Sequence, residues 1–111
     1  MKTVEDWARD SSLYFRLRDS VFEMARGRGK WADRARYSLE RLAPLREADF
    51  PESLQTAFAL IIALRDDCIV QFEVSTMLLP SNWSPKQRDA FTDALLVLYE
   101  EMTKARAVIQ N

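Results

Sequence analysis

One charge cluster in this chain has a plausible functional meaning. It is the run Arg26-Gly27-Arg28-Gly29-Lys30-Trp31, continued by Arg34, Arg36 and Arg41. Guanidinium and ammonium groups meet phosphates or carboxylates, and the interleaved Trp31 and Tyr37 offer faces on which bases stack. Three readings follow: a wet helix face that is merely basic, a contact for an acidic protein, or a nucleic-acid or phosphate-ligand site. The rest of the chain weighs against the last. Net charge is −1 over 111 residues, and it is unevenly spread. Residues 1–25 carry −1, residues 26–46 carry +5 and residues 47–111 carry −5. An acidic chain repels a polyanion at long range. A bipolar chain suits a protein partner, including a second copy of itself.

A second group of residues carries charge where apolar side chains are expected. Arg65 falls at helical spacing among Phe58, Ile61, Cys68, Ile69 and Phe72. Asp10 and Arg18 intrude in the same way beside Trp7, Tyr14 and Val21. A charge on an apolar face is paired, or it holds a ligand. Arg65, Arg18, Asp10 and Glu101 are therefore the candidates for a buried polar network or an anion site. Glu101 is the expected partner of Arg65, with Asp10 the second choice.

Several chemistries are excluded by residue type. The chain has no histidine, so histidine triads, Cys–His dyads and HExxH zinc sites cannot be built. Gly27 and Gly29 are the only glycines, and no Gly-Lys-Ser/Thr follows them, so there is no phosphate loop. Asp66, Asp67, Glu73, Asp89, Asp93, Glu100 and Glu101 lack the spacing of a calcium loop and read as solvated surface. No metal, cofactor or catalytic residue is expected, and the reading is non-enzymatic. Cys68 stands alone, on an apolar side, and reads as a buried inert thiol. With no disulfide to form, and with Glu5, Asp6, Arg9 and Asp10 where a secretory signal would be apolar, a cytoplasmic protein is expected. No stretch is long and apolar enough for a membrane span. Asn82-Trp83-Ser84 matches a glycosylation acceptor, but Ser84 is better explained as a helix cap.

These residues must be positioned by helices. Two glycines and four prolines are too few for the turns of an all-β fold. The expected fold is all-α: a single domain, residues 1–111, forming a four-helix and mostly antiparallel bundle. Helix one is expected from Val4 to Arg26, capped by Thr3. Helix two runs from Trp31 to Ala43, with Trp31, Ala35, Leu39 and Leu42 on one stripe and Pro44 at its end. Helix three starts with Asp49 as cap and Glu52 three residues later. It contains no glycine or proline between Pro51 and Pro80, so it is expected to continue to Leu79. Helix four opens on Ser84-Pro85-Lys86-Gln87, a cap with proline at the first helical position. Its stripe is Phe91, Ala94, Leu95, Leu98, Met102, Ala105 and Ile109.

Helices three and four then hold more apolar residues than one bundle can bury. Val74, Met77, Leu96 and Tyr99 are left as a partner patch, and such patches mark interaction sites. The functional expectation is a small protein-binding or regulatory module, forming a homodimer. The alternative is nucleic-acid or phosphate-ligand binding through residues 26–41.

Overall fold

The computed structural model describes residues 2–110. Five helices dominate, joined by one small hairpin. They are α1 (Val4–Arg9), α2 (Ser11–Arg26), α3 (Trp31–Leu42), α4 (Glu52–Asp67) and α5 (Pro85–Gln110). Strands β1 (Ile69–Gln71) and β2 (Thr76–Leu78) lie between α4 and α5. The helical expectation holds; the four-helix bundle is not confirmed, since five helices and a two-stranded sheet are present among the described residues. Two of its four helices are interrupted, for different reasons.

The first interruption is at Asp10. Its backbone is extended (ψ 98°), so it ends α1 and caps α2 in one residue. The Leu13 amide donates to its carboxylate at 3.1 Å. A short acidic side chain that can accept from the amide three residues ahead competes with the helical backbone, and here it wins. Asp10 is therefore not a charge intruding on a continuous apolar face. Thr3 caps α1 as expected, accepting from the Asp6 amide at 3.1 Å.

The second interruption is at Cys68. The expected helix to Leu79 stops at Asp67. Two carboxylates, Asp66 and Asp67, sit in its last turn, where the helix dipole disfavours negative charge. Beyond them comes Ile-Val-Gln-Phe-Glu-Val-Ser-Thr, rich in β-branched and aromatic residues that favour extended backbone. The orphan carbonyls at this end find donors. The Cys68 amide reaches Arg65 O at 3.1 Å, and the Trp83 indole reaches Leu64 O at 2.8 Å. The start of α4 also differs from expectation. Asp49 accepts from the Arg46 amide at 2.8 Å within a short 3-10 turn, and Pro51 occupies the cap position.

α5 is the hub, packing on α1, α2 and α4, while α2 and α3 form a close pair. Its capping box is present in both directions: the Gln87 amide donates to Ser84 Oγ at 3.2 Å, and Gln87 Oε1 accepts from the Ser84 amide at 2.9 Å. Phe91, Ala94, Leu95, Leu98 and Met102 are buried along its length. Between α2 and α3, Ser20 and Ser38 are both fully buried; their hydroxyls bond each other, and Ser20 Oγ also donates to Ser38 O at 3.0 Å. The connection joining this pair needs its glycines. Gly29 has φ +95°, and a Cβ on Gly27 would lie 2.2 Å from Glu23 O.

Trp83 closes the far end. It is buried, tilts against Phe91 at 5.2 Å and meets Trp31 edge-on at 6.1 Å. One side chain thus ties the ends of α3 and α4 to the start of α5. No described helix is long and apolar enough to cross a membrane.

Candidate functional site

The hairpin is the part of the fold that sequence periodicity missed. Its register pairs Ile69 with Leu78, Val70 with Met77 and Gln71 with Thr76. Two hydrogen bonds extend the ladder, from the Phe72 amide to Ser75 O at 2.7 Å and from the Leu79 amide to Cys68 O at 2.8 Å. Leu78 packs on the core at the base of the ribbon. Ile69, Phe72, Val74 and Met77 do not, with exposures of 42%, 51%, 96% and 43%. The six strand residues include no charge and no proline. Alternating β-branched and aromatic residues from 69 to 76 were the available signal. A stretch free of glycine and proline is not thereby helical, because β-branched and aromatic residues favour extended backbone.

The expected partner patch is therefore split. Val74 and Met77 stand on the hairpin, not on a helix. Leu96 lies exposed on α5. Tyr99 is half-buried on the same helix, stacked on Tyr14 at 6.3 Å between ring centres. Burial and the neighbouring Tyr14 hold the Tyr99 phenol above its ordinary pKa.

The expected polar network does not assemble either. Arg65 sits in the last turn of α4, its side chain 30% exposed, and pairs with Asp66 at 3.4 Å. It lines an open cleft with Arg46, Glu47 and Phe58. Glu101 pairs with Lys104 at 3.5 Å, on the surface. The Arg65–Glu101 pair fails because the helix is shorter than expected. A helix reaching Leu79 would put Arg65 at its middle, opposite the middle of α5. With α4 ending at Asp67, Asp67 meets Gln87 near the start of α5, at 3.3 Å. Arg65 is then about three turns from Glu101 along α5. The second choice, Asp10, instead takes the Lys2 ammonium at 3.2 Å. Burial would raise the Asp10 pKa, but the Leu13 and Ser12 amides and Lys2 outweigh it, and the carboxyl is held below its ordinary value. Arg18 pairs with Asp19 at 3.4 Å on α2. It shares no contact with Arg65, so the two arginines do not enclose an anion.

The basic segment is partly spent on structure. Arg34 donates to Met24 O at 2.8 Å, joining α3 to the end of α2. Arg41 donates to Glu23 at 3.3 Å across the same pair. Arg36 lies over its neighbour Tyr37, 5.1 Å from the ring centre. Arg26, Arg28 and Lys30 are exposed.

Arg26 opens onto a pattern not foreseen. Its guanidinium lies over Phe22 at 4.4 Å, and that of Arg18 lies over Phe15 at 4.6 Å and Phe22 at 5.6 Å. Phe15 and Phe22 both face outward from the core, Phe15 exposed and Phe22 half-buried. Ending α1 at Asp10 is what frees α2 to turn this face outward.

Cys68 is buried and free, as expected. Its thiol donates to Arg65 O at 3.2 Å, and burial pushes its pKa up. No three acidic or cysteine side chains converge on a metal site among the described residues. Comparison with protein-family models, curated proteins and solved structures gives no match.

Proposed function

We propose that this chain is a protein-binding module whose contact element is the hairpin from Ile69 to Leu78, and that its first partner is a second copy. The observation that carries the reading is the pair of uncharged strands, with Glu73 the one charge of the hairpin, exposed at its turn. Edge strands are ordinarily blunted by charge, proline, a bulge or a covering element. None of the six strand residues has such a device, and four apolar side chains, Ile69 and Met77 on the strands and Phe72 and Val74 at the turn, are exposed.

A second copy suits this edge. A two-stranded ribbon alone is marginal in water, and a third or fourth strand changes that. Two copies related by a two-fold axis can pair the same edge with itself, giving four antiparallel strands. The paired strands bring no charged side chain of their own against each other, and Glu73 lies at the turn. No catalytic chemistry is needed for this role.

Light scattering on a sizing column tests the reading. The wild-type chain is expected to run as a dimer and Val74→Glu as a folded monomer. Leu96→Glu, on α5, is expected to leave the dimer intact. A wild-type monomer at high micromolar concentration would remove the second copy as partner.

A further inference from the structure

We propose that the outer face of α2, from Phe15 to Arg26, binds short single-stranded nucleic acid, with Phe15 and Phe22 as stacking platforms and Arg18 and Arg26 as phosphate contacts. This goes beyond the hairpin reading and uses a different part of the molecule.

The geometry starts from spacing. Positions 15, 18, 22 and 26 are three and four residues apart, so they fall on one helix face. They alternate Phe, Arg, Phe, Arg along roughly 16 Å of axis. Each ring is covered by a guanidinium: Arg18 over Phe15 at 4.6 Å, and Arg26 over Phe22 at 4.4 Å. The pattern continues onto α5, where Arg106 lies over Tyr14 at 4.3 Å and Tyr14 stacks on Tyr99. A helix burying its other face does not need two outward phenylalanines, and two arginines to shade them.

Nucleic acid fits this alternation better than other anions do. A base stacked on an aromatic ring gains more than an exposed guanidinium over the same ring. A base therefore displaces the guanidinium, or is sandwiched by it, and the freed cation lies where the adjoining phosphate runs. An acidic peptide would use the arginines and leave the rings idle. Arg26 also lines an open cleft with Phe22 and Arg41, to which Asp19 and Glu23 contribute carboxylates. Arg18 and Arg41 are partly neutralised by these acids, at 3.4 and 3.3 Å. That leaves Arg26 without a carboxylate within salt-bridge distance among the described residues, and it is the principal phosphate contact. The objection from overall acidity is met only locally: α2 packs most extensively on α3, within the +5 segment, and also touches α5 of the −5 segment.

Fluorescence anisotropy with labelled oligouridylate and oligothymidylate, each about twelve nucleotides long, tests the proposal, with labelled polyglutamate as the acidic-peptide arm. Both oligonucleotides are expected to bind at about 50 mM salt and to weaken steeply by about 200 mM. Phe22→Ser should weaken binding at least about fivefold with an unchanged salt slope. Arg26→Gln should lower the slope by about one phosphate contact. Phe15→Ser, at a more exposed position, repeats the stacking test if Phe22→Ser melts early. Val74→Glu should bind as wild type does, which separates this site from the hairpin. No binding at low salt would overturn the proposal, as would polyglutamate binding equally well or serine variants with unchanged affinity.

Discussion

The Trp83 junction and the hairpin are close neighbours along the chain, and they treat apolar side chains in opposite ways. At the junction, Trp83, Phe91 and Trp31 meet, and the one polar atom of the Trp83 ring is satisfied by Leu64 O. On the hairpin, Phe72, Val74 and Met77 lie in solvent beside unpaired strand edges. Both regions carry large apolar side chains. The difference teaches that hydrophobic content does not say whether a segment holds a fold together or stays exposed on its surface. What decides is whether its backbone polar groups and side chains find their contacts within the same chain.

The largest effect is expected where those contacts converge. Trp83→Ala should cost about 3–5 kcal/mol in stability, the range for removing a buried large aromatic residue. Trp83→Phe should recover part of this, keeping the ring contacts but leaving Leu64 O without its donor. Urea denaturation followed by circular dichroism measures both. A cost for Trp83→Ala below about 1 kcal/mol would make the junction no more structural than a surface site.

A middle-sized effect is expected at Asp10, where the body is held by a cap. Asp10→Ala should cost about 1 kcal/mol at neutral pH. The Asp10 carboxyl is held below its ordinary pKa, so its ionised form favours the folded state. That contribution is complete above the ordinary value of about 4 and is lost as pH falls through the lower folded-state value. The wild type should therefore lose its advantage over the variant below about pH 4. A stability gap that stays constant into acid would show that the cap does not depend on charge.

The smallest effect on folding is expected on the hairpin. Val74→Ser, measured in dilute protein, should change stability by no more than about 0.5 kcal/mol, because Val74 is 96% exposed and gives up almost no packing. If the same change costs as much as the Asp10 cap, the hairpin belongs to the body and the contrast between the two regions fails.

The residue string alone was enough for several features governed by neighbours three or four positions apart. The Ser84–Gln87 box, the Thr3 cap, the α5 stripe and the burial of Cys68 all belong to that class, because capping geometry and helical periodicity are local. So do the exclusions that follow from having no histidine. Tertiary structure decided what depends on competition between local and distant contacts. Asp10 was read as an intruding charge, yet it caps a new helix, because a broken helix lets α1 and α2 each pack on α5. Arg65 missed Glu101 because its partner is set by where α4 ends. That end rests on carbonyls capped by Cys68 and by Trp83, which is nineteen residues from Leu64. The outward turn of Phe15 and Phe22 has the same origin. An apolar arc becomes inside or outside only when the neighbouring helices choose which part of it to cover.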